Sequence, residues 1–232
     1  MSTPLVALIL GAGPRIGTTV ATHFLNNGYA VALASRSGTN TKTTEGFLSL
    51  QADFTDPSTL PALFNSVKET FNAAPSTVIY NAASLTRPPD ADSALSIPVE
   101  NFTSDLNVNT VSPYAAAQLA IQGWETLPAE TKKTFIYTGN GLNQIIHPVP
   151  AMLTLGTGKS AAAYWLGLAD RSYAGRGYRF FYADERAPDG NVKGPNVDAP
   201  AHAEFYAQLA AHEGNLPWNA TFVSGKGYVK FG

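Results

Sequence analysis

The sequence predicts an α/β protein built on a single doubly wound, parallel sheet, and two observations carry this prediction. Short apolar runs, typical of strands buried on both faces of a parallel sheet, alternate with longer segments that have apolar residues at helical spacing. The first run, residues 5–10, leads directly into a glycine-rich turn at 11–17 and then into a helical pattern. Strand, glycine turn and helix N-terminus in this order form the arrangement that holds the pyrophosphate of a dinucleotide.

The same patterns set the expected order of elements along the chain. Further strands are predicted at 30–35, 47–50, 77–80, 134–138, 178–182, 221–223 and 228–231. Helices are predicted at 16–27, 57–71, 99–124, 157–174 and 205–214. Asp56 and Pro57 are a typical N-cap and first-turn residue for the second of these helices.

Length and composition predict one globular domain over residues 1–232. The net charge of −2 gives no reason to expect nucleic acid or an anionic membrane surface as a partner. The chain has no cysteine, which excludes disulfides, thiolate nucleophiles and cysteine-based metal sites. No basic segment precedes a long apolar stretch at the N-terminus, so we expect a cytoplasmic protein without a secretory signal.

The glycine turn has the spacing G-x-x-x-G-x-G, with Arg15 in place of the middle glycine. Glycines let the backbone approach a phosphate closely, and the helix that follows presents free N–H groups and a favourable dipole. We therefore expect a nucleotide to bind at Gly11, Gly13, Arg15, Ile16 and Gly17. A turn that only reverses the chain direction is the alternative.

This turn resembles the T-G-x-x-x-G-x-G motif of the short-chain dehydrogenase/reductase family, and the resemblance extends over nearly the whole chain. It implies a Rossmann-like fold, a nicotinamide cofactor and oxidoreductase chemistry. The second strand ends in Ser35 and Arg36, where such folds meet the adenosine ribose. An arginine there accommodates the 2′-phosphate of NADP, so we expect NADP(H), with Arg15 as a second cation at the same end. A solvated loop arginine is the alternative for Arg36.

Two more motifs of the family follow the next strands. Asp53 and Phe54 match a D-[VLF]-T pattern, whose aspartate caps the adenine amino group in the family. An aspartate that only caps a turn is the alternative. Asn81 and Ala82 match the family's N-A-G turn, which lies beside the nicotinamide ribose, with Ala83 in place of its glycine.

The catalytic half of the family pattern begins in the long helix at 99–124. Asn109 matches an N-x-x-G-x-F segment, whose asparagine lies at a helix irregularity and helps to hold a water that relays protons to the active-site lysine. Pro113 independently predicts a disturbed helix, because it lacks a backbone donor. Asn107 is a competing choice, and a purely structural buried asparagine is an alternative for Asn109.

Two catalytic positions depart from the family. The family ends its fifth strand in Ser-Ser, and the second serine hydrogen-bonds the substrate carbonyl in the family. Asn140 occupies that position here, and we expect its amide to polarise a carbonyl without sharing a proton. The next helix carries Lys159 of the Y-x-x-x-K motif, but Leu155 occupies the tyrosine position and has no proton to give. Lys159 is therefore expected both to bind the nicotinamide ribose and, with Asn140 and Asn109, to take part in catalysis.

The histidines predict no metal site, since none has a second ligand at i+3 or i+4. His147 lies in the loop after the fifth strand, which borders the catalytic pocket in this fold, so a displaced proton donor is one interpretation and a surface histidine the other. His202 and His212 are expected on the face of a surface helix.

The sixth strand runs into Ala183-Asp-Glu-Arg186, where the family usually has Pro-Gly. The turn-rich segment from there to residue 200 is predicted to be a mobile lid over the nicotinamide side, at 184–200.

Two classes of function follow. The first is an NADP(H)-dependent oxidoreductase that acts on a small carbonyl, alcohol or activated C=C compound with an unusual proton donor. The second is a protein that binds the nucleotide without redox chemistry, as a regulator or as a cofactor-assisted lyase or isomerase. No motif identifies the small-molecule substrate. The resemblance implies a homodimer or homotetramer through the helices at 99–124 and 157–174.

Overall fold

The structure is a computed structural model that describes residues 4–231. Its strands are β1 (Val6–Leu10), β2 (Ala30–Ser35), β3 (Thr41–Lys42), β4 (Leu48–Gln51), β5 (Thr77–Tyr80), β6 (Lys133–Thr138), β7 (Tyr178–Glu185), β8 (Asn219–Val223) and β9 (Gly227–Tyr228). Its helices are α1 (Ile16–Asn26), α2 (Leu60–Phe71), α3 (Val99–Leu106), α4 (Ser112–Trp124), α5 (Leu153–Tyr173) and α6 (Ala199–Ala210). No helix within the described residues is long and apolar enough to cross a membrane.

The nine strands form one sheet in the order β3-β4-β2-β1-β5-β6-β7-β8-β9. All neighbouring pairs from β4 through β8 are parallel, and the two-residue strands β3 and β9 pair antiparallel at the edges. Crossover helices cover both faces, as parallel connections require. The predicted α/β class with a doubly wound sheet is confirmed.

Two apolar layers hold the helices against the sheet. One layer packs side chains such as Phe64, Trp124 and Leu166, from α2, α4 and α5, against one face. The other packs Phe24 of α1 and Phe205 of α6 against the opposite face. Because both faces are covered, the central strands are apolar throughout, which explains the uninterrupted apolar runs in the sequence.

Several predicted boundaries are wrong. β7 continues to Glu185, beyond the predicted end at residue 182, and α6 begins at Ala199, ahead of the predicted 205. The side chain of Asp198 fixes the start of α6, because its Oδ1 accepts a hydrogen bond of 3.1 Å from the backbone N–H of Ala201. The edge strands β3 and β9 are too short to produce an apolar alternation, so β3 has no signal in the sequence and β9 ends before the predicted 228–231.

The predicted long helix at 99–124 is interrupted, as Pro113 suggested. Between α3 and α4 the chain forms a π-helical segment, Asn107–Val111. The N–H of Ser112 bonds the Asn107 carbonyl, and Pro113 has no N–H to give to Asn109. The carbonyls of Val108 and Asn109 are thereby released from the helix.

Two stacked tyrosines satisfy the released carbonyls. Tyr80 of β5 and Tyr137 of β6 are register partners, and their rings stack with centroids 5.8 Å apart. The Tyr80 hydroxyl donates to the Val108 carbonyl at 2.6 Å, and the Tyr137 hydroxyl donates to the Asn109 carbonyl at 2.7 Å. The π-helical segment is thus anchored to the centre of the sheet.

Candidate functional site

A polar cleft of about 670 Å³ opens at the carboxyl ends of β1, β2 and β5. Its described lining consists of Gly11, Ala12, Gly13, Pro14, Ser35, Arg36, Ser37, Asp53, Phe54, Thr55, Asn81, Ala82, Ala83, Ser84, Leu85 and Val108. The carboxyl ends of parallel strands on either side of a change in strand order are where α/β sheets bind ligands. Most of the residues predicted to bind the cofactor lie together in this cleft.

The glycine turn is tightly held against the end of β5. Gly11 has a φ of +97°, and a Cβ there would lie 2.3 Å from the backbone nitrogen of Ala82, so glycine is required. The Nδ2 of Asn81 donates to the Gly11 carbonyl at 2.8 Å. The role of Asn81 in this structure is therefore to hold the glycine turn in place.

The chain leads from the cleft lining at Gly13 and Pro14 into the start of α1. The helix begins at Ile16, and no side chain caps its first turn, which leaves N–H groups available to an anion. Ile16 and Gly17 do not line the cleft themselves; Gly17 is buried, and a Cβ there would lie 2.7 Å from the Cα of Ala12. Gly17 thus allows the first turn of α1 to pack directly against the backbone of the glycine turn.

Arg15 does not lie where the sequence predicted. Its Nη1 donates to the carbonyl of Pro195 at 2.9 Å, and it is not among the residues that line the polar cleft. Arg15 thus contacts the segment after β7 and is not a second cation at the adenosine end. The chain separates the two groups by 180 positions, so no local pattern could reveal this contact.

The end of β2 provides the cationic part of the cleft. Arg36 is exposed and lies beside Ser35 and Ser37. Asp53 caps a turn by accepting hydrogen bonds from the backbone N–H and the hydroxyl of Thr55, and these bonds, aided by the Arg36 charge, lower its pKa. Asp53 therefore caps a turn and also lines the cleft, and its predicted contact with the adenine amino group stays a prediction.

Phe54 contributes little surface to the cleft. It is 7% exposed, and its ring packs edge-on against Tyr80 with centroids 5.5 Å apart. The Ser112 hydroxyl bonds its carbonyl at 2.7 Å. Phe54 thus belongs mainly to the core and links the cleft to the start of α4.

Lys159, which was predicted to bind the nicotinamide ribose, is buried and is not among the described residues that line the polar cleft. Its side chain enters the space between α5 and β6, where Nζ donates to the carbonyl of Thr138 at 2.7 Å and lies 4.3 Å from the centre of the Tyr137 ring. Burial lowers the pKa of the ammonium to about 7, against the opposing influence of the Asp184 carboxylate. A lysine in this state carries a proton that it can release near neutral pH.

The side chain of Asn109 is already occupied. Its Nδ2 donates to the carbonyl of Ser84 at 2.8 Å, and its Oδ1 accepts from the N–H of the same residue at 3.0 Å. Its backbone carbonyl accepts from Tyr137, and Gly158 packs so closely that a Cβ there would lie 2.4 Å from Asn109 Cβ. The predicted helix irregularity is present, but Asn109 serves to fix the loop after β5.

Asn140 uses its amide to shape the turn after β6. Its Oδ1 accepts from the N–H of Leu142 at 3.1 Å. Its backbone carbonyl and N–H both bond the Tyr182 hydroxyl, at 2.7 and 3.1 Å, and Gly139 leaves room for that ring. A substrate carbonyl would need the Nδ2 donor of this amide and not the occupied Oδ1, so polarisation of a substrate carbonyl by Asn140 stays a prediction.

His147 lies in a different cavity. This apolar cavity of about 660 Å³ is lined by Ala94, Leu142, residues 145–150 and the start of α5, including Leu153 and Ser160. It shares no lining residue with the polar cleft, and Lys159 is not part of its described lining. Among the described residues no hydrogen bond joins His147 to Lys159, whose Nζ donates to the Thr138 carbonyl instead.

The charged residues after the sixth predicted strand are buried, which corrects the predicted lid. Asp184 and Glu185 belong to β7, and Arg186 follows them; all three are at most 3% exposed. The Arg186 guanidinium pairs with Asp184 and donates to the Gly190 carbonyl at 2.9 Å. The predicted lid at 184–200 is therefore reduced to the segment between Arg186 and α6.

His202 and His212 do not lie on a surface face. His202 is 1% exposed; its Nδ1 is 2.8 Å from the carbonyl of Asp198 and 3.5 Å from the Glu185 carboxylate, and burial lowers its pKa. His212 follows α6 with its Nε2 2.9 Å from the Thr134 hydroxyl, and burial lowers its pKa to about 4.

Sequence reasoning missed Asp184 and Arg186 as residues near the site. The signal in the sequence is a group of charges that directly continues an apolar strand. A charge at the end of a buried strand is costly unless it is paired, so such a group indicates a buried ion pair.

Comparison with known proteins identifies relatives of one kind. Residues 5–134 match the family model of short chain dehydrogenases. Over its full length the chain is 38% identical to the short chain dehydrogenase/reductase dmxR12 of Cryptosporiopsis sp. (strain 8999), of which it covers 96%.

Solved structures of the same kind share the fold. A Serratia marcescens short-chain dehydrogenase/reductase variant superposes with a TM-score of 0.77 at 18% identity, covering 96% of this chain and 97% of that one. BdcA in complex with NADPH superposes with a TM-score of 0.75 at 17% identity, covering 99% and 97%. Other matching structures contain NADP or NAD.

Proposed function

Because the chain belongs to the short-chain dehydrogenase/reductase family, we propose that it is an NADP(H)-dependent oxidoreductase. The substrate is a small carbonyl compound, alcohol or activated C=C compound. A nicotinamide cofactor is supported by the family and by the NADP or NAD bound to structural relatives. The preference for NADP(H) is supported by Arg36, which lies in the polar cleft at the end of β2.

The donors of the polar cleft suit a dinucleotide. Gly11 and Gly13 line the cleft just before the start of α1, where no side chain caps the first turn, so a pyrophosphate is expected there. Arg36, Ser35 and Ser37 provide donors where the ribose phosphate of NADP(H) would lie. When bound, the cofactor supplies or accepts the hydride.

The residues of this chain have to orient the substrate and manage the proton. Lys159 holds a proton at Nζ, beside the Thr138 carbonyl at the end of β6, and its lowered pKa makes the transfer possible near neutral pH. Asn140, held by Tyr182, shapes the turn that follows β6. Leu155 offers neither a proton nor a hydrogen bond, so the proton source differs from a tyrosine.

Binding measurements test the cofactor assignment. A charge-assisted contact with a phosphate contributes about 1.5–3 kcal/mol, so Arg36→Ala should weaken NADPH binding by roughly tenfold or more and leave NADH binding nearly unchanged. Isothermal titration calorimetry with both nucleotides measures this. Arg87→Ala is the matched control, since Arg87 is exposed and does not line the cleft. Equal affinity of the native protein for NADPH and NADH would contradict the assignment.

A second function is nucleotide binding without hydride transfer, in a regulator or in a cofactor-assisted lyase or isomerase. One observation favours it: the helix that carries Lys159 has Leu155 at the position where a proton donor is expected. Tight NADPH binding, together with no oxidation of NADPH by a panel of ketones, aldehydes and enones, would favour this second function.

A further inference from the structure

Three charged side chains are buried together at the carboxyl ends of β6 and β7. Lys159 is 4% exposed, Arg186 2% and Asp184 0%. Burying a charge is costly unless it is paired and hydrogen-bonded. Lys159 Nζ donates to the carbonyl of Thr138, whose register partner on β7 is Ala183, so the lysine lies next to the segment that carries Asp184 and Arg186.

Asp184 is held in a defined position. Asp184 lies two residues after Tyr182 on β7. Residues two apart on a strand share a face, so Asp184 faces the same side of the sheet as Tyr182, toward α5. Its Oδ2 pairs with Nε of Arg186, which is itself held by the carbonyl of Gly190. Its Oδ1 is buried and has no hydrogen-bond partner among the residues that the structure describes. One oxygen thus serves the arginine, and the other is left for a further proton donor.

We propose that Asp184 is a positioning residue that keeps Lys159 in its ammonium form, ready to deliver a proton in the reaction proposed above. The catalytic consequence of this role rests on the proposed function. The interaction between Asp184 and Lys159 does not depend on it. Asp184 acts through Lys159 and does not have to touch the substrate.

The other groups around Lys159 cannot take this role. Burial raises the pKa of both Tyr137 and Tyr182, so their phenols stay neutral. Arg186 is a cation and disfavours a second positive charge nearby. Thr138 offers only its carbonyl.

A further carboxylate, Asp105 of α3, faces α5 at Thr154, more than one helical turn before Lys159. Its oxygens are already bound by the Ser84 hydroxyl and the Thr86 N–H, at 2.5 and 2.6 Å. Asp184 is the carboxylate whose charge opposes the effect of burial on Lys159.

Replacement of Asp184 by asparagine tests the proposal, because it preserves shape and removes charge. Two uncompensated cations would then be buried together, and Lys159 is the one that can lose its proton. We expect the pKa of Lys159 to fall by about one unit or more in Asp184→Asn. The Cε resonance of Lys159 in ¹³C-lysine-labelled protein, identified by its absence in Lys159→Met, reports this pKa directly.

Glu185→Gln is the matched control. Glu185 is the next residue on the same strand, is also buried, and points to the opposite face, where its carboxylate lies near His202. Removal of the carboxylate charge at this position should leave the pKa of Lys159 unchanged. An equal shift in both variants, or no shift in Asp184→Asn, would overturn the proposal.

The native protein provides a test that requires no variant to fold. If the two groups interact, the Asp184 Cγ and Lys159 Cε resonances should each show both titration steps of the pair. Independent single-step titrations would overturn the proposal. Because none of these measurements needs turnover, a protein without reductase activity would refute the proposed function and leave this interaction standing. If turnover is present, its loss at high pH should move to lower pH in Asp184→Asn.

Discussion

At position 155, one helical turn before Lys159 on α5, the chain carries a half-buried leucine. Residues four apart share a helix face, so a tyrosine here would lie next to the lysine ammonium. Leucine removes proton donation from this position, while the lysine that would lower the pKa of a tyrosine is still present. In the proposed reaction the proton therefore has to come from another group, and Lys159 is an ionisable side chain on the same face of α5.

Leu155→Tyr should raise the turnover of simple ketones and aldehydes with NADPH, because Lys159 already stands four residues on. Proton donation by a positioned acid contributes about 10²–10⁴-fold, so an increase of about 10²-fold is expected in kcat/KM. Leu155→Phe is the control, since it supplies the ring without the hydroxyl. Lys159→Ala should abolish native redox activity, and fast native turnover that survives this change would show that the active site lies elsewhere.

The burial of Lys159 also makes stability depend on pH. Its pKa is about 7 in the folded protein against 10.5 for an unperturbed lysine, so between these values the unfolded chain binds more protons. The cost of burying the ammonium group lowers the free energy of unfolding in full below about pH 7, and this cost disappears as the pH rises toward 10.5.

In this pH range the free energy of unfolding of the native protein should rise by up to about 1.4 kcal/mol per pH unit. Lys159→Met should abolish this rise. Urea unfolding of the native protein and the variant at several pH values measures it. Lys226→Met, at an exposed lysine, should keep the native pH dependence. Parallel curves for the native protein and Lys159→Met would contradict the assignment.

At the scale of elements, the π-helical segment Asn107–Val111 connects the core to the site. It releases two backbone carbonyls, which buried tyrosines on β5 and β6 then satisfy. The same segment presents Asn109, whose amide holds Ser84 in the loop beside the polar cleft. A helix irregularity is thus converted into a fixed connection between the sheet and the loop.

Tyr137→Phe should destabilise the protein by about 1–3 kcal/mol, because the buried Asn109 carbonyl would lose the hydroxyl that bonds it. Denaturant unfolding measures the loss. Tyr173→Phe is the control, since this half-buried ring also stacks on aromatic neighbours but its hydroxyl makes no hydrogen bond within residues 4–231. If both variants lost the same free energy, the hydroxyl of Tyr137 would not be what anchors the segment.

At the scale of the whole molecule, neighbouring helices expose apolar side chains. On α5, Tyr164 is 79% and Leu168 59% exposed, and Tyr114 of α4 is 48% exposed. Tyr114 packs edge-on against Trp165, which joins the two helices into one apolar surface. A surface of this kind is typical of an interface between subunits. We propose that a second copy of the chain covers it, in a homodimer or homotetramer.

Tyr164→Asp should reduce the assembly to monomers, because a carboxylate would have to be buried without a partner. Analytical ultracentrifugation over a range of concentrations measures the mass. Leu95→Asp is the control, since Leu95 is 89% exposed but lies outside α4 and α5. A native protein that remains monomeric at high concentration would exclude the proposed assembly.

The sequence by itself determined the features that depend on short stretches of chain. The buried strands, the glycine turn at Gly11, the disturbance caused by Pro113 and the cationic end of β2 at Arg36 each have a local physical cause. A strand covered on both faces must be apolar, and a proline cannot donate a hydrogen bond, whatever the rest of the fold does. These features were predicted correctly in place, with errors of a few residues at their ends.

Only the tertiary structure decided which polar groups meet. Arg15 donates a hydrogen bond to the Pro195 carbonyl, and Asn109 donates one to the Ser84 carbonyl. Asp184 forms an ion pair with Arg186 and influences the pKa of Lys159. Most of these partners are far apart in sequence, and a side chain that pairs with a distant backbone group leaves no periodic signal along the chain. Protonation depends on the same placement, because burial and neighbouring charges set the pKa of Lys159, and both arise only when α5 packs against β6 and β7.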